Sequence, residues 1–363
     1  MSNKKLTILG LFAVLMAIWA VVQSHISNRA VKRESIEPTY LIQGLNPDQI
    51  GTIVIGTGKN TLTFKRTNTG FVVTEKDNYP AATERINNLI TSCLDIKTTE
   101  LYTSNKANFK DLGVTEEDAR AVVKFYKPDS TLMTGVIIGK NKTQGEGTFV
   151  RSVSSDDVYL SPSAPWINNQ AIDYINQELL TVDRANIQSV IVTGPNEMYV
   201  LKDVNGLILE NIPESKELKK TDAESVFTAL SYLMFTDVSR EKPDSSLNFD
   251  RKYTCRLKDS TVYDFAIAQK DDKTYIKCDA DFTDKTPVTK KQEVESQEEL
   301  KKKEAKLLAK EKAEKFKAQH TGWIYEIPDY KAGYLIKHFT DLIQDKSNTE
   351  KPPNANEPNL QPK

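Results

Sequence analysis

One order of elements, strands then a helix then strands, is written twice along this chain, and that doubling restricts its fold more than any single motif does. From Ile50 short alternating runs are broken by turn residues: IGTIVIG, NTLTFKR and GFVVTEK. Ile53 and Ile55 flank Val54, Leu62 and Phe64 alternate with threonines, and Gly56, Gly58, Asn60, Asn68 and Gly70 stand at the turns. This is the period-two signature of a strand meander. Pro80 then opens a predicted helix in which Ile86, Leu89, Ile90, Cys93 and Leu94 fall on one apolar stripe. After DLGV at residues 111–114 come four further strand-like runs, RAVVKFY, TLMTGVIIG, GTFVRSV and DVYLS.

The second half repeats that order. IQSVIV from Ile187 answers IGTIVI from Ile50, NEMYVLK from Asn196 answers NTLTFKR from Asn60, and the run opened by Gly206 answers the one opened by Gly70. A second helix comes next, with Thr221 and Glu224 spaced as a capping box and Val226, Phe227, Leu230, Leu233 and Met234 as its stripe. KYTCRLK, TVYDFAIA and TYIKCDA parallel the later strands of the first half, and WIYEIPDY from Trp323 parallels DVYLSPSAPW from Asp157. Strands segregated from helices point to an α+β class with antiparallel sheets. The expectation is two repeated units of antiparallel sheet plus covering helices, at residues 44–182 and 183–343.

An insertion at residues 284–320 interrupts the second unit. Residues 290–319 contain no Pro or Gly, and Glu298 with Lys302, Glu299 with Lys303 and Glu311 with Lys315 are favourable pairs four apart. The predicted element is therefore a helix. Val294, Leu300, Leu307, Leu308 and Phe316 are its sparse apolar positions, and Glu314 ends any heptad run begun by Leu300 and Leu307. A solvated charged helix is the first reading, an arm for a protein partner the second and contact with a membrane surface the third. On the first two, replacing residues 285–319 by a short Gly/Ser hairpin costs little stability, because loop closure varies slowly with length. From Gln344 to the end, residues 344–363 are rich in Asn, Pro and Lys and read as a disordered tail.

The N-terminus places the chain relative to a membrane. Residues 6–22, LTILGLFAVLMAIWAVV from Leu6 to its end at Val22, carry no charge. As a helix they span roughly 25 Å, the lower limit for a bilayer core. Lys4 and Lys5 precede the run and Trp19 sits near its far end, as flanking charge and interfacial aromatic. The rival reading is a cleaved signal, but Ile18 spoils cleavage after Ala20, and no cysteine stands at the end of the run to take lipid. Residues 1–22 are thus read as flank and transmembrane anchor, and residues 23–43 as a juxtamembrane linker. Arg29, Lys32 and Arg33 nearly balance the leading lysines. Orientation then rests on the short flank staying in the cytoplasm while the long domain crosses.

Composition sets the remaining bounds. Hydrophobic residues make up 39% of 363, enough for folded cores. A net charge of −1 argues against a general nucleic-acid binder, whose phosphate contacts demand a basic surplus.

Several of these segments together resemble a known family. The anchor, IGTIVIG, TLTFKR, GFVV, the Tyr79-Pro80-Ala81 turn, DLGV, and DVYL before Pro165-Trp166 are similar to an uncharacterised bacterial membrane-anchored domain-of-unknown-function family, often encoded beside gliding-motility-type ABC transporter components. The resemblance covers nearly all of residues 44–343 and rests on packing and turn motifs. It implies a bacterial envelope protein, an auxiliary part of an ABC-type assembly, and it carries over no catalytic or binding residue. The charged insertion departs from the family pattern.

Each residue that could carry chemistry has a plainer reading. Gly56-Thr57-Gly58 comes after a strand as a phosphate loop would, yet a third glycine and a succeeding helix are missing, which leaves a hairpin turn. His25, His320 and His338 stand apart from one another and from other ligand types, so no metal site is assigned. Asp156-Asp157 and Asp271-Asp272 precede strands as turn residues rather than as converging acids. The three cysteines are Cys93, Cys255 and Cys278. With TVYDFAIA between their strands, Cys255 and Cys278 lie two spacings of about 4.8 Å apart, too far for a disulfide, and read as free core thiols. Phe64, Phe71, Tyr159 and Trp166 read as core or interface aromatics. Catalytic, cofactor and metal residues are accordingly none.

The expected function is a non-enzymatic, single-pass protein of the bacterial inner membrane with its bulk in the periplasm, an auxiliary or assembly component of an ABC-type transporter or motility system. It has no cofactor and no nucleic-acid partner; its contacts are the membrane through residues 6–22 and a protein partner through the helix at residues 290–319. The alternative is an extracytoplasmic module that binds a glycan, lipid or peptide near Asp183 and Asn186 at the repeat junction. The anchor reading predicts that the chain stays with the membrane fraction through a high-salt wash; recovery as a soluble form beginning near His25 would show a cleaved signal instead.

Overall fold

The computed structural model describes Met16 and residues 39–58, 60–242, 246–288 and 296–346. The apolar run apart from Met16, and the tail beyond residue 346, lie outside the described residues. Among the described residues no helix is long and apolar enough to cross a membrane. The chain is a mixed α/β protein built on antiparallel sheets, and it divides into two compact units. One unit comprises the chain up to Phe71 with Thr83–Asn169; the other comprises Val72–Ala82 with the chain from Gln170 onward.

Residues 170–182 fold with the second unit. Leu179, Leu180 and Val182 are buried, Leu180 pairs with Leu233, and the Val182 N–H donates to the Leu230 carbonyl.

The first unit holds β1 (Thr52–Ile55), β2 (Leu62–Thr67), β3 (Gly70–Val73), α1 (Thr83–Leu94), β4 (Glu100–Thr103), β5 (Ala121–Tyr126), β6 (Leu132–Asn141), β7 (Thr148–Ser152) and β8 (Val158–Ser161). β3 runs across the division at residue 71. The strands lie in the order β3-β2-β1-β5-β6-β7-β8-β4. Alternation sets the register: Ile53 lies opposite both Phe64 and Phe125, and all three are fully buried. Gly51 is required by close approach, since a Cβ there would meet the Pro128 backbone at 2.5 Å. α1 buries Ile86, Leu89, Ile90 and Cys93, four members of the expected stripe. It starts at Thr83 rather than at Pro80. Tyr79–Pro80 is instead a two-residue strand that pairs with Val72 and Val73, and Asp77 and Asn78 take left-handed conformations in the turn between. An edge strand of this kind tolerates a proline because no ladder N–H is needed there.

The second unit holds β9 (Ile187–Thr193), β10 (Met198–Asp203), β11 (Leu207–Leu209), α2 (Lys220–Phe227), β12 (Asp237–Arg240), β13 (Arg251–Leu257), β14 (Thr261–Lys270), β15 (Lys273–Phe282), α3 (Gln297–His320), β16 (Trp323–Ile327) and α4 (Asp329–Leu335). Its strands lie in the order β11-β10-β9-β13-β14-β15-β16-β12, the same sequence of positions as β1 to β8. Three details differ from expectation. α2 ends at Phe227, so Leu230 lies in a turn and Leu233–Met234 forms a short strand. Thr221 and Glu224 form no capping box: the helix starts at Lys220, and the Glu224 carboxylate is held by Arg184. Gln344 and Asp345, placed in the tail by sequence, belong to the strand Ile343–Asp345, which pairs with Lys216–Leu218.

One face of the second sheet is apolar. Tyr253 lies opposite Phe265, Cys255 opposite Tyr263, Phe265 opposite Cys278 and Ile276 opposite Tyr325, and all of these are buried. The opposite face carries Thr254, Asp264 and Lys277. One packed and one polar face is the usual state of an antiparallel sheet. α2 packs on β9 and β11, and the Tyr253 hydroxyl donates to the Val226 carbonyl at the end of that helix.

The insertion helix also packs, against expectation. It begins at Gln297, where Ser296 and Glu299 form a true capping box, and it docks along β15. β16 pairs with β15 only over Thr274, Tyr275 and Ile276. α3 packs against β15 and β14, with Phe316 on Tyr263 and Lys317 bound to Asp279. Ala309, Ala313, Phe316 and His320, spaced four, three and four apart, are its buried face. Phe316→Ala should therefore cost about 3 kcal/mol, the usual scale for a buried Phe, read as a lower urea midpoint. Replacing residues 285–319 should destabilise the unit for the same reason, and an unchanged midpoint in either variant would show the helix to be undocked.

Candidate functional site

The face of the second unit that carries α3 gathers the most distinctive groups of the chain. The helix forms because its interior lacks Gly and Pro and its first turn holds Glu298 and Glu299, which suit the positive end of the helix dipole. Lys310 and Glu314 pair along it. Its inward face meets aromatic rings: Phe316 packs edge-on against Tyr263 at 5.0 Å, and His320 lies 4.4 Å from Phe316. Leu300, Leu307 and Leu308 are each more than half exposed, and Leu307 lines the cavity against the end of β15.

Where α3 passes the end of β15, a cavity of about 470 Å³ opens between Ala280, Phe282, Val288, Leu307, Ala313 and neighbouring lysines. Ion pairs close its rim. Lys306 binds Asp284 at 2.7 Å and Lys317 binds Asp279 at 3.0 Å. The hydrogen bonds from Lys306 and Thr286 hold the Asp284 carboxyl down at about 2. The rim charges are thus mutually satisfied.

Beneath the end of α3 lies a buried hydrogen-bond relay. His320 Nδ1 is 2.7 Å from the Tyr325 hydroxyl, and Tyr325 also bonds to Tyr79. Tyr79 sits at 4.8 Å from Trp323 and 5.9 Å from Phe235, both edge-on. Burial pushes His320 down to about 4 and pushes Tyr79 and Tyr325 up. Each shift moves the group's titration away from neutral pH, so near pH 7 the imidazole is neutral and both phenols keep their protons.

The candidate residues named from the sequence do not converge. Gly56 and Gly58 have positive φ in the hairpin turn between β1 and β2. Asp271 and Asp272 also have positive φ, at 51° and 59°, in the two-residue turn joining β14 to β15. Asp156 pairs with Lys106, and Asp157 accepts from the Ser104 hydroxyl. Cys93, Cys255 and Cys278 are free and buried, with Cys93 and Cys255 pushed up to about 12 by burial, and β14 separates the strands of the latter two. His338 meets Glu197 on the surface; His25 lies outside the described residues. Among the described residues no group of His, Cys, Asp and Glu could hold a metal ion.

Near the expected junction the polar groups answer one another. Asp183 accepts from the Ala185 N–H, Lys258 donates to the Ala185 carbonyl, and Arg184 is divided between Asp203 and Glu224. Sequence reasoning missed Arg184, the His320 relay and the buried Lys331 of α4. Only His320 had a signal, an aromatic run WIYEI just beyond it.

Fold and site together define an antiparallel mixed α/β protein with a helix-covered sheet. Within it, residues 72–252 match the family described as a domain of unknown function, DUF4340. No curated protein matches the chain, and no solved structure does. The match is consistent with the uncharacterised domain-of-unknown-function family read from the sequence; it takes in Tyr79-Pro80-Ala81, DLGV and DVYL and leaves IGTIVIG and TLTFKR outside.

The His320 shift has a consequence for stability. The unfolded chain takes up the proton near the ordinary value of 6.5 and the folded chain near 4, so between those values the unfolded state binds more protons. The stability from this group is complete above pH 6.5 and is lost as pH falls toward 4, on the order of 2 kcal/mol of it by pH 4.5. Urea unfolding at pH 7 and pH 4.5 should show His320→Gln losing less stability than the parent by roughly that amount; equal losses would place the imidazole in water.

Proposed function

We propose that this chain is a non-enzymatic, membrane-anchored component of a bacterial envelope assembly, of the ABC-transporter-associated or motility kind, and that it engages a protein partner through the outward face of α3. The carrying observation is the two-sidedness of that helix. One face is fixed on the sheet by Ala309, Ala313, Phe316 and His320, while Leu300 and Leu308 stand 51% and 58% exposed among lysines and glutamates, and Leu307 is half exposed at the mouth of the cavity. A rigidly held helix that presents apolar side chains has little ordering entropy left to lose when it binds. The apolar run of residues 6–22 supports the anchor, and the family resemblance supports the envelope setting with the bulk of the chain in the periplasm. The common strand order of the two sheets supports reading the chain as two copies of one fold.

The test is photocrosslinking in native membranes from probes placed at Lys301 and Lys312, with and without Leu300→Gln, Leu307→Gln and Leu308→Gln together. The reading requires that the triple variant keep its urea midpoint and lose the crosslinked species. A variant that folds and retains every crosslink would remove α3 as the partner surface.

A further inference from the structure

A second place in the second unit, away from α3, has the makings of a ligand site. Lys331 in α4 is 93% buried, its exposure being 7%. Its Nζ stands 3.5 Å from the Ala229 carbonyl oxygen, the outer limit of a hydrogen bond, and 5.9 Å from the centre of the Tyr330 ring. The protein thus offers this ammonium one long contact and a distant ring, and its remaining donor capacity is left to whatever fills the cavity it lines. Burial accordingly draws Lys331 below the usual lysine range.

The same lysine lines a cavity of about 570 Å³ between α2 and α4, together with Thr221, Glu224, Ser225, Thr228, Ser231 and Tyr334, and with Lys220. The polarity of that lining is directional. The Ser225 hydroxyl donates to the Asp222 carbonyl and the Thr228 hydroxyl to the Glu224 carbonyl, each at 2.7 Å. Their protons are thus turned to the helix backbone, and their oxygens remain as acceptors. Glu224 is committed to Arg184 through both carboxylate oxygens. A cavity with one buried cation and two hydroxyl acceptors asks for an anion that also carries donors.

We propose that this cavity binds a small hydroxylated carboxylate, with the carboxylate on Lys331 and ligand hydroxyls donating to Ser225 and Thr228. A single negative charge matches the single buried ammonium; a dianionic phosphate would crowd the Glu224 carboxylate on the same wall. The size fits one sugar-acid unit, within the range of small-molecule sites. This site is independent of the partner surface on α3, and neither reading requires the other.

The experiment uses the full chain and D-glucuronate as probe, with D-glucose and inorganic phosphate as comparisons, followed by ligand-observed NMR. D-glucuronate should saturate, and Lys331→Met should weaken it at least tenfold. Ser225→Ala with Thr228→Val should weaken it several-fold, and glucose should fail to compete. Absence of saturation below about 50 mM, unchanged binding in the folded Lys331→Met variant, or equal competition by glucose or by phosphate would each overturn the proposal. Should Lys331→Met fail to fold, acylation of Lys331 in the parent chain decides, read by mass spectrometry. Glucuronate must slow it at least threefold relative to acylation in glucose, and equal rates would overturn the site.

Discussion

The second unit depends on one constraint: the inward rows of β13, β14 and β15 carry Tyr253, Tyr263, Phe265, Ile276 and Cys278, all on one face, and that face has to be covered. A sheet with a single apolar side is stable only when another layer excludes water from it. α2 covers the β9 side and α3 packs against β15 and β14. The insertion is therefore part of the covering layer, and its outward leucines are exposed because its inward side is already occupied.

Polar groups inside this arrangement fall into two kinds. In the His320, Tyr325 and Tyr79 cluster, His320 Nδ1 and both hydroxyls are hydrogen-bonded to one another in a chain. Satisfied networks of this sort specify geometry. Lys331 is the contrast: equally buried, it has a marginal bond to one carbonyl beside an open cavity. The difference between the two is not burial but whether the fold itself supplies the partner.

Much of this was legible in the sequence, for identifiable reasons. Strict alternation in β1, β2, β13 and β14 revealed both the strands and their buried faces, since period two leaves a one-residue slip nowhere to go. The free state of Cys255 and Cys278 followed from the strand between them. Helix boundaries were less visible. Pro80 looked like a helix start because it can occupy a first turn, but it can also end an edge strand, and pairing with Val72 decided the matter. The spacing of Thr221 and Glu224 satisfied the capping pattern, yet Arg184, distant in sequence, took the carboxylate. In α3 the buried positions include Ala309 and Ala313, whose side chains are too small to register as an apolar stripe among lysines. Lys331 gave no signal at all, since burial of a lysine depends on what folds over it.

The eleven residues Val72–Ala82 lie between two stretches of the first unit in sequence but pack in the second. Tyr79 finds its ring partners at Phe235, Trp323 and Tyr325. During synthesis this segment leaves the ribosome long before those partners exist. At roughly 5–20 residues per second it waits on the order of ten seconds or more for Trp323. The contact has a high sequence separation, so a long loop must close before it can form. A ribosome that stopped at the end of the first unit would hold a chain whose segment Val72–Ala82 is made but still without its aromatic seat.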